Sequence, residues 1–357
     1  MKLFLRKKKS GMAVIVVLVA VTVLTILAGA FAYAMKIETR LAANANNDEQ
    51  MLWLGRAGVE LARYVISLEN GLPYDALNQI WAGGPGAGAE TNSALMGLSL
   101  TDYPVGEGSV SIKIIDLERK VNVNTAPPPL LTQSLTAMGV DAGDISVVAD
   151  SIQDWIDKDD ATLPGGAESD FYQGMNPPYY AKNAPIDDIA ELMLIKGVTM
   201  PMFKGGTGTN SMGANFQHHK LGFGNAPGQE PTYAFGLQDV FTPFGSGKIN
   251  INTADLKALQ LIPGMDTVSA EAMLKFRAGP DGVEGTEDDT PFQNPGMVAA
   301  AGVDPRAAQQ IGQYATTKST TFEVHVTARI GELTREYVAV IWRGGPNSVQ
   351  TVEFYWK

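Results

Sequence analysis

The longest apolar stretch runs from Met12 to Met35, MAVIVVLVAVTVLTILAGAFAYAM, 24 residues without a charge. At about 1.5 Å per residue such a helix is roughly 36 Å long, more than the ~30 Å hydrocarbon core of a bilayer. A helix buried in a soluble core rarely stays apolar on every side for so long, so a membrane-spanning helix is predicted. The helical pattern continues past it. From Lys36 to Leu68 there is no proline, and the only glycines are Gly55 and Gly58. Leu54, Gly58, Leu61, Ala62, Val65 and Leu68 recur at three- and four-residue spacing and form one apolar stripe. Asn70-Gly71 and Pro73 end the pattern. One helix of about 57 residues is predicted, apolar all round in its first half and amphipathic in its second.

A period of two appears elsewhere. In Ser109–Asp116, Val110, Ile112 and Ile114 share one face. Near the far end Phe322, Val324, Val326 and Ala328 alternate, then Tyr337, Ala339 and Ile341, then Val352, Phe354 and Trp356. Gly331-Glu332 and Gly344-Gly345-Pro346-Asn347 supply the turns. This predicts one strand near residue 110 and a three-stranded antiparallel meander at the end. A lone strand needs a partner, so the sheet is read as split by an inserted domain. The expected division is 1–11 leader, 12–35 transmembrane helix, 36–125 long helix and first strand, 126–318 insertion, 319–357 terminal strands. Residues 82–108, rich in Gly, Ala, Ser and Asn, read as loop.

The insertion carries a repeat. Lys120-Val-Asn-Val-Asn-Thr-Ala-Pro returns 128 residues later as Lys248-Ile-Asn-Ile-Asn-Thr-Ala-Asp. In each copy a short extended run meets a Thr, read as an N-cap, before a helical segment: Thr125 before Pro127–Met138, Thr253 before Ala254–Ile262. Pro263-Gly264-Met265 leads on into Val268–Arg277, the outline of a helix-hairpin-helix. Ile145–Ile156 and Ile186–Ile195 are helical by spacing, with Trp155 and Ile156 facing inward. Gly205–Gly228 is expected to be a mobile loop. The insertion is therefore mostly helical and the fold class α+β.

Charge narrows the chemistry. Lys2, Arg6, Lys7, Lys8 and Lys9 precede the apolar run with no acid among them, so the N-terminus is expected to stay cytoplasmic and the bulk to be exported. The formal charge is −11, and loss of residues 1–11 would make it −16. An acidic exported domain is a poor partner for nucleic acid and compatible with divalent cations. With no cysteine in the chain, disulfides and zinc–thiolate sites are excluded. His218-His219 has no third ligand nearby in sequence, and no Ser/His/Asp set has recognisable spacing, so catalysis is not expected. The hairpin at Ala254–Arg277 could bind a DNA backbone through turn amides, but its neighbours Asp255, Asp266, Glu271 and Asp281 are acidic, which favours a packing role.

Two patterns point to one family. Ser10-Gly11, between the basic cluster and the apolar helix, resembles a prepilin-type leader cut after the glycine, which would leave Met12 as N-terminus. The twin VNVNTA and ININTA segments are joined by Asp154-Trp-Ile-Asp-Lys-Asp-Asp160, Gly166-Ala-Glu168, Asn176-Pro-Pro-Tyr179, and Asn183-Ala-Pro-Ile through Glu191-Leu to Lys196-Gly197. Together they resemble the minor pseudopilin K family of bacterial type II secretion systems. The fifth residue after the proposed cut is Val16, where most pilins carry glutamate, and the K member is known for that absence. The resemblance implies a pilin-like helix and sheet with a large helical insertion. It further implies a single-pass inner-membrane protein, periplasmic in bulk, cleaved between Gly11 and Met12 by prepilin peptidase and methylated at Met12. The expected function is structural: capping the pseudopilus, assembling with I-type and J-type pseudopilins and starting the fibre for protein secretion. The alternatives are a minor or priming pilin of a type IV pilus or DNA-uptake system, and a membrane-anchored helix-hairpin-helix module on DNA.

Calcium is the remaining candidate. In a first loop, Asp157, Asp159 and Asp160 crowd after a helix, and Glu168 and Asp170 follow across Pro164-Gly165-Gly166. In a second, Asp281, Glu284, Glu287, Asp288 and Asp289 alternate with glycines. Crowded carboxylates repel unless a cation sits among them, and calcium accepts six to eight oxygens in irregular geometry. Neither loop has EF-hand spacing, and a solvated acidic turn is the alternative for each. Members of the K family are known to bind calcium, which favours the metal without fixing its ligands.

Overall fold

The computed structural model describes residues 10–86, 95, 97–206, 232–345 and 348–357. The predicted long helix is there as α1, Ser10–Leu68, 59 residues. Its segment Met12–Thr39 has a mean hydropathy of 2.9 and is covered by no other part of the chain; among the described residues it is the one helix long and apolar enough to cross a membrane.

Strands β1 (Tyr103–Val105) and β2 (Gly108–Asp116) follow. The intervening residues then run through β3 (Val121–Asn122), α2 (Pro128–Met138), α3 (Ala142–Ile156), α4 (Ser169–Tyr172), α5 (Met200–Lys204), α6 (Leu237–Val240) and β4 (Phe241–Thr242). A second series has β5 (Ile249–Asn250), α7 (Leu256–Leu259), α8 (Thr267–Arg277), α9 (Pro305–Gln310) and β6 (Ala315–Thr316). The terminal meander is β7 (Thr321–Ile330), β8 (Leu333–Gly345) and β9 (Ser348–Trp356). The large sheet is antiparallel in the order β1-β2-β7-β8-β9, so the strand near residue 110 finds its partner some two hundred residues later, Ile112 opposite Val326. The fold is α+β as read. Strand β1 was missed inside the loop-like 82–108.

The second half of α1 lies on this sheet. Met51, Leu54, Val59, Ala62, Val65 and Ile66 pack on Val110, Ile112, Ile114, Val324, Val326 and Ile341. Each such side chain contributes on the order of 1.5–3 kcal/mol on leaving water. Gly55 and Gly58 are glycines because the sheet comes too close for anything larger: a Cβ at Gly55 would meet the Tyr337 ring and one at Gly58 the Val326 side chain.

The repeated sequence is a structural duplication. Each copy opens with a two-residue strand paired in parallel, β3 with β4 and β5 with β6. Two helices around a left-handed glycine follow, α2–Gly139–α3 in one and α7–Gly264–α8 in the other. An acidic loop comes next, then a 3-10 segment (Ile189–Leu194 or Pro295–Ala301), a second such glycine (Gly197 or Gly302) and a short helix, α5 or α9. The repeated asparagines explain the motif. The first turns the chain: Asn122 Oδ1 accepts Asn124 N–H at 2.9 Å and Asn250 Oδ1 accepts Asn252 N–H at 3.0 Å. The second grips a distant backbone by both ends of its amide. Asn124 accepts from Ile186 N–H (2.7 Å) and donates to its carbonyl (2.9 Å); Asn252 does the same to Phe292 (2.8 and 2.9 Å).

Neither Thr is a helix cap. Thr125 is exposed and is followed by Pro127, Pro128 and Pro129, which have no N–H to receive a capping bond; the N-cap of α2 is Pro127. Asp255 caps α7, accepting Ala258 N–H at 2.9 Å. Thr253 instead donates its hydroxyl to Asp116 Oδ2 at 2.5 Å. That carboxylate, at the end of β2, also accepts from Asn250 Nδ2 (3.0 Å) and the Ser319 hydroxyl (2.7 Å). It thus ties the sheet to the insertion where the chain leaves and returns. Burial, with the Glu118 carboxylate close by, pushes Asp116 up to about 8. The segment expected as a helix at Ile186–Ile195 is a 3-10 turn, and α7 is one turn rather than Ala254–Ile262.

Candidate metal centre

The last turn of α3 builds the first acidic loop. Asp154, fully buried, accepts Leu163 N–H at 3.2 Å, and Asp150 Oδ2 accepts Gly165 N–H at 2.9 Å. Lys196 Nζ donates to the carbonyls of Gly165 (3.2 Å) and Gly166 (2.8 Å). These bonds fold the Pro164-Gly165-Gly166 turn back over the helix end. Gly166 is required there, because a Cβ would run into the Asp154 carboxylate. Trp155 is buried as expected and meets the edge of Tyr172, ring centroids 5.2 Å apart; Ile156 is half-buried.

The fold-back sets Glu168 beside the helix end. One carboxylate oxygen each of Asp157, Asp159 and Glu168 lie within 4.8 Å of one another. Glu168 is 4% exposed, yet neither of its oxygens has a hydrogen-bond partner in the protein, nor has Asp157 Oδ1. Buried polar atoms are normally satisfied, so orphaned carboxylate oxygens converging on one point fit a hard cation. Burial, then the negative charges of Asp154, Asp157, Asp160 and Asp159, push Glu168 up to about 7 in the cation-free chain. Burial and Asp159 also raise Asp157.

Of the five acids expected here, the structure brings together three. Asp160 accepts Asn183 Nδ2 at 2.9 Å, and Asp170 is exposed in the first turn of α4. Asn183 was not anticipated. It also donates to the Asp159 carbonyl (3.1 Å), while its own Oδ1 is buried without a partner. Its φ of +45° is a conformation asparagine tolerates better than most residues, the one hint its sequence offered.

The second loop is arranged differently. Glu284 pairs with Arg277, Asp288 accepts Asp281 N–H (3.0 Å) and the Thr286 hydroxyl (2.7 Å), and Asp289 accepts Gly285 N–H (2.8 Å). Asp281 accepts Val283 N–H at 2.7 Å, and Glu287 is exposed. The helix hairpin above it turns at Gly264, and its apolar residues Leu259, Leu261, Ile262 and Met265 are buried in the insertion core. At the other end of the chain, Gly11 and Met12 stand in the first turns of α1, while the basic residues Lys2–Lys9 lie outside the described residues. So do His218 and His219 and most of the expected loop at 205–228.

Helix, split sheet and duplicated insertion together define a pilin-like platform, its helix long and apolar enough to cross a membrane, carrying a helical domain. Residues 113–205 match the family model described as type II secretion system (T2SS), protein K. Type II secretion system protein K of Aeromonas hydrophila is 24% identical over 218 residues, 55% of this chain and 61% of that protein. The same-named protein of Klebsiella pneumoniae is 22% identical over 210 residues, 55% and 60% of the two chains. The matched region thus spans about three fifths of these relatives' length. A chain in the crystal structure of the GspK-GspI-GspJ complex from the enterotoxigenic Escherichia coli type 2 secretion system shares the fold. It has a TM-score of 0.61 and 18% identity, over 88% of this chain and 99% of that one. These matches show the resemblance to type II secretion system protein K read from the motifs.

Proposed function

We propose that this chain is a minor pseudopilin, a structural subunit at the tip of a type II secretion pseudopilus. The observation that carries this reading is the pilin-like platform, a 59-residue helix on an antiparallel sheet, enlarged by an insertion between the neighbouring strands β2 and β7. A head of that bulk leaves little room for another subunit above it. Val16, in place of the glutamate that pairs with a preceding subunit, supports the same position, since a buried carboxylate is costly without a partner. The related GspK was crystallised with GspI and GspJ, and corresponding I-type and J-type pseudopilins are the partners proposed here. The role is structural rather than enzymatic.

In this reading Lys2–Lys9 hold the N-terminus in the cytoplasm, α1 spans the inner membrane and the rest is periplasmic. Prepilin peptidase cuts between Gly11 and Met12, and the new amine is methylated. Calcium, held by Asp157, Asp159 and Glu168, locks the first loop of the insertion and supplies structure, not chemistry. The decisive experiment is deletion combined with localisation. Loss of protein secretion with DNA uptake intact, and label at one end of the fibre, is the expected result. Label spread evenly along the shaft would sink the tip role, and loss of DNA uptake alone would favour a type IV pilin. Intact mass of the native protein should match a methylated chain starting at Met12.

A further inference from the structure

We propose that the Arg277 guanidinium is the built-in cation of the second acidic loop, so that residues 279–289 close without a metal ion. The comparison with the first loop rests on the calcium reading above; the assignment of Arg277 rests on its own contacts. The two loops occupy equivalent places. Each follows the second helix of its copy and precedes the residue gripped by the repeat asparagine, Ile186 in one and Phe292 in the other. In the first, three carboxylates converge, and two of them, Asp157 and Glu168, carry orphaned buried oxygens. In the second, a permanent cation stands at the helix end. Arg277 is the last residue of α8 and 4% exposed. Its Nε donates to Glu284 Oε1 at 2.6 Å and its Nη1 to the Ile251 carbonyl at 2.6 Å.

Those two bonds draw the loop onto the repeat itself, because Ile251 lies between the two asparagines that turn and clamp the chain. The other acids are already satisfied. Asp281, Asp288 and Asp289 accept backbone N–H groups or the Thr286 hydroxyl, and none of their oxygens is among the buried side-chain atoms left without a partner. A divalent ion would have to displace these bonds and compete with the Arg277 guanidinium for Glu284.

The test uses the full chain in detergent, stripped with chelator and titrated with calcium alone. Glu168→Gln disables the first loop; this variant should retain no calcium in equilibrium dialysis, and adding Asp288→Asn should change nothing. Calcium retained by Glu168→Gln and lost on adding Asp288→Asn would overturn the proposal. Calcium retained regardless of Asp288 counts only against the first-loop reading, as does a wild-type chain that takes up none. The positive arm is Glu168→Gln with Arg277→Met. Losing its cation, that chain should melt several degrees lower and regain part of the loss when calcium is added. A folded Arg277→Met chain with no calcium response overturns the assignment. Should it not fold, Glu168→Gln with Arg277→Lys keeps the charge, and a calcium-dependent rise in that chain's melting temperature would overturn the assignment equally.

Discussion

The two copies inside the insertion share a frame and differ in how their acids are arranged. In both, a first asparagine turns the strand and a second holds a distant backbone amide and carbonyl. In the first copy the residues between helix end and clamp, 157–185, are many enough to fold back and aim carboxylates at one point. In the second, residues 278–291 are fewer, and each acid of the turn that is not exposed is bonded to a near neighbour or to Arg277. The asparagine bonds, present in both copies, fix the frame; the loops between them differ, with three carboxylates converging in one and Arg277 standing among the acids of the other.

The sharpest way to break this comparison is to remove the clamps. Asn252 is 2% exposed, so Asn252→Ala leaves the amide and carbonyl of Phe292 buried and unpaired. At ~1–3 kcal/mol for each orphaned group, a loss of about 3 kcal/mol is expected from chemical denaturation. Asn124 is half-buried, and water can replace part of its grip on Ile186, so Asn124→Ala should cost about half as much. Equal losses, or a larger one at Asn124, would mean that burial does not set what each clamp contributes.

Much of this was legible in the chain. The long helix and split sheet could be read because each pattern persists over several turns or alternations. The repeat could be seen but not its purpose, because the clamp partners lie 62 and 40 residues beyond the asparagines and nothing local marks Ile186 or Phe292. The Thr residues looked like caps only while the prolines after Thr125 were counted as helix and not as missing N–H donors. In the acidic loops composition was visible and geometry was not. Asp160 and Asp170 look like Asp157 in sequence, and only the fold-back at Gly166 separates them. Arg277 gave no sign of its role, since a basic residue in a last helical turn is already favourable there.

A smaller effect is expected from pH. Glu168 rises from 4.5 to about 7 in the cation-free folded chain. Over that interval the folded chain keeps a proton that the unfolded chain has released. The group therefore favours folding below about pH 4.5, and that contribution is lost as pH rises through about 7. Calcium needs the ionised carboxylate and competes with the proton. The calcium-induced rise in melting temperature should be slight near pH 5 and reach full size by about pH 8. In Glu168→Gln the rise should disappear at both. The second loop, closed on Arg277, predicts no matching calcium-dependent rise. A rise that is the same at the two pH values in the wild-type chain would remove Glu168 from the ligand set.

The smallest effect separates ligands from bystanders within the first loop. Asp170 is exposed and bonds to nothing in the cluster, so Asp170→Asn should leave both stability and calcium uptake unchanged. Asp160 acts at one remove. Its carboxylate holds Asn183 Nδ2 at 2.9 Å, and the same amide group reaches the Asp159 carbonyl at 3.1 Å, so Asp160 steadies the backbone that carries a ligand. Asp160→Asn keeps the side-chain shape and an acceptor oxygen but loses the charge that strengthens this exposed bond. The expected cost is a few tenths of a kcal/mol, roughly a two-fold weakening of calcium. Asp157→Asn, which removes the charge from a half-buried member of the triad, should weaken calcium by at least about ten-fold, or 1.4 kcal/mol. Isothermal titration of the three variants orders them. If Asp160→Asn weakens calcium as much as Asp157→Asn does, Asp160 turns toward the ion when it binds, and the loop of the cation-free chain rearranges on taking it up.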